Sequence, residues 1–450
     1  AAACLSKAVS LLAQKKALRA KAVAKGVESL ITAAGKAAAA SADAAAAAAA
    51  AKTARAEAQG AWILLREVAA CEPSAPSWQF LHAAWAHLQA QGQAAAAEEG
   101  AALLWVISYA AAGFPANDAA SLAKDLLKAL MAFSLPAAAA AAHVAALNRL
   151  TATHTEEDEA AGKAKVGGHG QGGKGGVGTP LQWTAKLLEG VHEVLGKAMD
   201  KRGQLNDATQ AWRISCALFT AGEVALLRQA KTPSGLVVLI QALTALGSTS
   251  GPSAAAAAAL LGTQEVVPAA EEAGVAGTQA QGTQGNAAAG TQAAQVAGYA
   301  WAALGKLCLV DEHLAKRAAP LFVQELSRAT SPVVRNNCLV ALTDMCIHFT
   351  ALVDGYLPRL ASLIRDPHEL VRRQALALMA NLLMKDYVKW RGALFHRFCV
   401  ALVDTSPSVR KLAEYLLGDT LASKAPLLAY NHFVEALFVL NGCQGGLYAG

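Results

Sequence analysis

Three arginines in this sequence share one setting. Arg335, Arg372 and Arg410 each follow a valine, and the valines Val334, Val371 and Val409 lie 37 and then 38 residues apart. Nine residues after each arginine stands a short polar residue: Asp344, Asn381 and Asp419. Guanidinium and carboxylate groups make directional, charge-assisted hydrogen bonds. The expectation for this set is structural, a ladder of inter-repeat bonds along stacked helices. The other use of the same arginines is a basic stripe for a partner.

A second set mixes cations with aromatics. Lys385, Lys389, Arg391 and Arg397 alternate with Tyr387, Trp390, Phe395 and Phe398 at a turn and the start of a helix. Lys and Arg contacts to phosphate give sequence-independent, salt-sensitive binding, so these four residues are the candidate DNA or partner surface. The plainer reading packs Trp390, Leu394 and Phe398 inward and leaves the cations solvated.

Catalytic chemistry finds no footing. There is no nucleophile elbow, no HExxH, no kinase signature and no carboxylate pair in an apolar setting. The eleven histidines are isolated; His82 and His87 fall on different helix faces, and His348 and His396 are expected at helix surfaces. The run from Gly168 to Lys174 looks like a phosphate-binding loop, but Gly175 stands where a Ser or Thr is needed and no apolar strand precedes it. The eight cysteines form no CxxC pair and no Cys/His cluster at zinc spacing. Cys308, Cys338, Cys346 and Cys399 fall on apolar helix faces, as small core residues in a reducing compartment do. The expectation is a chain that is no enzyme, with no catalytic residue, cofactor or metal.

The elements that position the arginines follow from what flanks them. Turn signals precede each Val-Arg: Ser331-Pro332, Asp366-Pro367 and Ser406-Pro407. Apolar residues at helical spacing follow: Cys338, Leu339, Leu342 and Met345, then Ala375, Leu376, Leu378, Met379 and Leu382, then Ala413, Leu416, Leu417 and Leu421. A fainter copy lies 38 residues upstream, with Lys306 at the acid's position. A two-helix period near 38 predicts an all-α fold, a HEAT/armadillo-like helical solenoid, in which each unit buries its apolar face only against its neighbours. First helices are expected near Leu314–Ser327, Val353–Ile364 and Trp390–Leu402, with a final one at Asn431–Leu440.

Composition agrees. Alanine inflates an apolar fraction of 54%, while aromatics are 6% and charged residues 16%. The net charge of +6 permits a nucleic-acid partner without demanding one. Residues 301–450 carry 16 basic and 12 acidic groups, and residues 151–300 carry 10 and 12. No uninterrupted apolar run reaches membrane-spanning length, so no membrane is expected. The chain does not open on Met, and its first 25 residues carry six basic groups and no acid. The expectation is a solvated helix face in a piece of a longer protein, rather than a transit peptide.

In order, residues 1–150 are expected to be helical and HEAT-like in a degenerate way, with an alanine-rich insert at 37–54. Within them one helix covers 4–34, and Ser77 caps a helix through Gln91. Residues 151–180 form an acidic, then glycine-rich linker. Helices resume at 181–247. Residues 248–295, with repeated Gly-Thr-Gln, bury too little to offset their ordering entropy and should be a disordered low-complexity insert. The solenoid proper spans 296–441.

Several words in that last block resemble a known family. Ser331 through Cys346 is similar to the R-N-N…D-[LM]-C segment of the condensin D-type HEAT subunits. So is Leu370-Val-Arg-Arg-Gln-Ala-Leu through Asn381-Leu-Leu. Tyr387 through Phe398, with Leu402-Val-Asp404, looks like the condensin II member rather than its condensin I relative. The resemblance covers Val296–Asn441, with no comparable match before it. It implies a non-catalytic regulatory subunit that binds the kleisin chain and joins the SMC ATPase pair. It also implies contact with DNA and chromatin, with histone tails among the partners, in the nucleus and on mitotic chromosomes. The alternatives are a condensin I D-type subunit or another peptide-binding solenoid such as a transport receptor. An acidic groove would mark the last, and the basicity of 301–450 speaks against it.

Overall fold

The computed structural model describes residues 2–15, 17–39, 44–91, 93–160, 177–200, 207–247, 283–390 and 392–441. Every regular element among them is helical. The chain forms two compact units, the first made of Ala1–Val191 with Gln229–Thr232, the second of His192–Arg228 with Pro233–Gly450.

Unit 1 holds α1 (Ala2–Gln14), α2 (Ala20–Ala39), α3 (Ala44–Cys71), α4 (Trp78–Gln91), α5 (Gln93–Ala110), α6 (Ala116–Met131), α7 (Ala137–Ala160) and the first part of α8 (Pro180–Asp200). The expected single helix over 4–34 is therefore two helices. The alanine tract continues into α3, because alanine has the highest helix propensity and α3 gains its packing further on, at Trp62, Leu65 and Val68. Trp62 is buried and its indole N–H donates to Glu99 Oε1 at 2.9 Å. Ser77 is not the side-chain cap of α4: its hydroxyl bonds Gln79 Oε1 at 2.8 Å, and its backbone N–H donates to Glu28 of α2 at 2.8 Å. The acidic start of the expected linker is the end of α7, and residues 161–176 of that linker lie outside the described residues.

Unit 2 holds α9 (Ala208–Leu226), α10 (Ser234–Thr244), α11 (Thr283–Val310), α12 (Glu312–Arg328), α13 (Pro332–His348), α14 (Thr350–Val353), α15 (Leu357–Ser362), α16 (Glu369–Met384), α17 (Gly392–Ala401), α18 (Pro407–Tyr415), α19 (Ala422–Lys424) and α20 (Leu428–Leu440). Helices α9, α11, α13, α16 and α18 pack each on the next as one row of second helices. In the other row α10, α12, α15 and α17 each pack on the second helix of their own unit. Helix α11 begins at Thr283, inside the expected insert; residues 248–282 lie outside the described residues. Its apolar stretch Gln292–Val310 is long enough to cross a membrane but is mostly buried against its neighbours. Helices α11 and α13 approach closely at Gly305, where a Cβ would fall 2.6 Å from Ala341 Cβ. The core is the set read from the period: Cys338, Leu339, Leu342, Met345, Leu376, Met379, Leu382 and Leu421 are all buried. Leu378 is half-exposed and is not a core residue. The first helix of the third unit is broken into α14, a 3-10 turn, α15 and a second 3-10 turn, where Gly355 and Pro358 interrupt it. The last second helix widens to a π-helix over Leu416–Leu421.

Candidate functional site

The arginines do form a ladder, with partners other than those the spacing suggested. Arg335 leaves the first turn of α13, and its Nε and Nη2 donate to Asp366 Oδ2 and Oδ1, both at 2.8 Å. Its Nη1 donates to the carbonyls of Ala329 and Thr330, each at 2.9 Å. Arg372 repeats this one unit on, with Asp404 Oδ2 at 2.7 Å and Oδ1 at 2.9 Å, and the carbonyls of Asp366 and Pro367 each at 3.0 Å. The Nη1 of Arg410 donates to the carbonyls of Asp404 at 2.6 Å and Thr405 at 3.2 Å. Each arginine thus laces the turn ahead of its own helix, and the first two also fork onto the aspartate of the following turn. Those aspartates are fixed in turn, since Asp366 and Asp404 accept the backbone N–H of His368 and Ser406, each at 2.8 Å. Burial raises the Asp404 carboxyl, but the Arg372 and Ser406 hydrogen bonds outweigh it and hold its pKa below the usual carboxylate range.

Asp344, Asn381 and Asp419 are not in these bridges. Nine residues at about 100° each place them half a turn around the helix from the arginine, and about 13 Å along it. Asp344 is half-buried, its carboxyl raised by burial, with His348 and Lys306 pulling the other way. Asp419 is exposed in the π-helix. The upstream member of that row, Lys306, pairs with Glu223 of α9 at 2.5 Å and lies 4.0 Å above the Phe219 ring.

The second set divides. Trp390 meets Phe398 edge-on at 6.0 Å, and Leu394 and Phe398 are buried. Lys385 and Lys389 are exposed, and Arg397 is half-buried. Burial first, then the neighbouring Arg365, lowers the Arg397 guanidinium pKa. Arg391 lies outside the described residues. The turn that presents Lys385 is fastened by Lys424, whose Nζ donates to the carbonyls of Leu383 at 2.9 Å and Met384 at 2.7 Å and pairs with Asp386 at 2.6 Å. His348 is exposed as expected, whereas His396 is buried, because α17 turns it toward α20 beside His432 and Glu435. Sequence reasoning missed Asp366, Asp404 and Lys424. One signal marks the first two: they are 38 residues apart, the period itself.

Two families divide this stacked region between them. Residues 212–326 match HEAT repeats described as Condensin-2 complex subunit D3-like, and residues 333–446 match the non-SMC mitotic condensation complex subunit 1. The Arabidopsis thaliana Condensin-2 complex subunit CAP-D3 is 34% identical over 413 residues, which are 86% of this chain and 29% of the relative.

The chain belongs to the D-type HEAT-repeat subunit family of condensin II.

The mouse Condensin-2 complex subunit D3 is similar too, at 39% identity over 149 residues, 33% of this chain and 10% of the relative. A condensin I counterpart, the mouse Condensin complex subunit 1, is 32% identical over 145 residues, 32% of this chain and 10% of the relative. The chain spans under a third of the length of these curated relatives. Among solved structures, the S. pombe condensin Cnd3–Cnd2 subcomplex shares the fold, with a TM-score of 0.51 at 13% identity over 85% of this chain and 46% of that one. The D3-like match beginning at residue 212 corrects the expectation that nothing before Val296 resembles the family. The Glu223–Lys306 pair shows why it was hidden: its members are 83 residues apart because the low-complexity insert separates two stacked helices.

Proposed function

We propose that this chain is part of a non-catalytic regulatory subunit of condensin II, a scaffold that binds the kleisin subunit and DNA and so promotes mitotic chromosome condensation in the nucleus. The observation that carries the reading is the Arg–Asp ladder of unit 2 within the stretch that matches D-type condensin subunits. The bridges fix the stacking register, which keeps a solenoid's long surfaces in one shape for a partner chain. ATP hydrolysis is left to the SMC pair. Lys385, Lys389, Arg391 and Arg397 supply the phosphate contacts. Lys385 and Lys389 are exposed, Lys385 on a turn that Lys424 fastens, so both are within reach of a phosphate.

The test is binding of the 450-residue chain to a fluorescent DNA duplex across a salt series, with and without kleisin peptide. The proposal expects log K to fall linearly with log salt, and a stoichiometric kleisin complex at every salt. Absence of both would overturn it. A kleisin complex with no DNA binding would remove DNA from this chain and leave a docking scaffold.

A further inference from the structure

The ladder takes up the acids of the turns that lead into the second helices. Asp366 goes to Arg335 and Asp404 to Arg372. Beside those turns stands another set of arginines. Arg328 ends α12 and Arg365 ends the 3-10 turn after α15, 37 residues apart. Arg359 lies in α15 and Arg397 in α17, 38 residues apart. Each pair therefore recurs with the period of the repeat. Arg328, Arg359 and Arg365 are exposed, and Arg397 is half-buried. None of the four is in an ion pair with a carboxylate among the described residues. Glu325 of α12 is buried, and burial raises its pKa while Arg328 pulls it down.

The four arginines form one patch across three successive first helices. Arg359 Nη2 donates to the hydroxyl of Ser327, the residue before Arg328. The turn Leu363–Arg365 packs on α17, and the charge of Arg365 acts on Arg397. Two guanidiniums held near each other, with no carboxylate paired to either, repel; an anion between them removes that cost. Packed helices lie about 8–10 Å apart, so the row runs roughly 20 Å from Arg328 to Arg397. A single phosphate cannot serve a row of that length, whereas a duplex offers a charge every 1.7 Å or so of its axis. Single strands are held by stacking on aromatic rings, and no ring on α12, α15 or α17 is exposed.

We propose that Arg328, Arg359, Arg365 and Arg397 form a phosphate-binding track for duplex DNA along the first-helix row. The inference rests on the DNA reading above and deepens it. Through Arg397 the track continues into Lys385 and Lys389, so the duplex lies across at least three repeats and not on one turn. Recognition is of the backbone only, by charge and by the guanidinium forks, and carries no base specificity. The repeat itself sets the spacing of the contacts, and the ladder, by neutralising Asp366 and Asp404, leaves the row positive.

The test is anisotropy of a fluorescein-labelled 30-base-pair duplex titrated with the 450-residue chain across a salt series. Arg359→Gln with Arg365→Gln removes two charges from the track. Arg373→Gln with Lys411→Gln removes two exposed charges from the second helices α16 and α18. The first pair should lower the slope of log K against log salt by about 1.8, at about 0.9 for each phosphate contact, and weaken binding at least about tenfold at 0.1 M salt. Adding Arg328→Gln should lower the slope by about 0.9 more. The second pair should leave the slope as in the parent. Arg359→Lys with Arg365→Lys keeps the charge and should keep the slope, which separates lost contacts from a disturbed fold; all variants are checked by their melts. A parent that binds the duplex with a slope the first pair does not change, or that both pairs change equally, would overturn the track and leave the DNA reading standing. A parent that binds no duplex would overturn both. A polyglutamate peptide bound more tightly than the duplex at the same salt, and lost with the first pair, would assign the row to an acidic protein segment and overturn the track.

Discussion

Removing the Arg372 side chain's charge should unfasten two units at once. Arg372→Met keeps the apolar stem but deletes four hydrogen bonds, two to Asp404 and two to the carbonyls of Asp366 and Pro367. It strands an Asp404 carboxylate that is only 11% exposed, held then by the Ser406 N–H and the Thr405 hydroxyl. Breaking one side of a buried pair costs about 3–5 kcal/mol. Both side chains keep some water, so the lower end applies, about 3 kcal/mol. Unfolding a unit of this size converts that to a fall of roughly 6–12 °C in Tm. Asp404→Asn keeps the shape and one acceptor and should cost less, about 2 kcal/mol. The assay is urea and thermal unfolding of the full chain by circular dichroism, read on the transition of the unit that holds the ladder, for both singles and the double variant. The double should cost at least about 1.5 kcal/mol less than the sum of the singles. Additivity within about 0.5 kcal/mol would refute the claim that these two residues act as one bridge.

Four further outcomes follow from the same geometry. Leu376→Asp places an unpaired charge at a fully buried position of α16 and should cost about 4 kcal/mol or more, abolishing the cooperative transition of unit 2; a normal melt would mean the stack is phased wrongly. Gly305→Val drives a branched side chain into Ala341 and should cost about 1–3 kcal/mol, measured by the same melt. Replacing Lys385, Lys389, Arg391 and Arg397 together by glutamate should flatten the salt dependence of DNA binding while leaving the melt unchanged; an unaltered salt slope would take this surface out of DNA contact. The buried His143 of unit 1, lowered to about 4 by burial with its Nδ1–H bonded to Ala139 O at 2.7 Å, should make that unit pH-sensitive. Its folded pKa lies below the unfolded value near 6.5, so the stabilisation is full above 6.5 and is lost as pH falls toward 4. The loss is about 3 kcal/mol, and His143→Gln should remove that slope.

The fold was legible where the period was unbroken. Val-Arg at 37 and 38 residues placed three second helices and their buried faces, because a solenoid repeats the same environment at the same spacing. The arginines were found for the same reason. Their acids are not legible from spacing along one helix: Asp344 faces away from Arg335, whereas Asp366 returns to it from the next turn. The pairing of helix α9 with α11 is hidden in the sequence because the insert stretches their spacing beyond any period. The burial of His396 is not legible in the sequence, since an isolated histidine gives no sign of α20 closing over it. The DNA surface is legible only as charge between aromatics, since phosphate contacts leave no spacing signature of their own.

The most direct measurement of the central claim is sedimentation velocity of the 450-residue chain mixed with the condensin II kleisin, and separately with its condensin I counterpart. The account predicts a one-to-one complex with the condensin II kleisin at low micromolar concentration, and weaker association with the other. Two independently sedimenting species in both mixtures would contradict it.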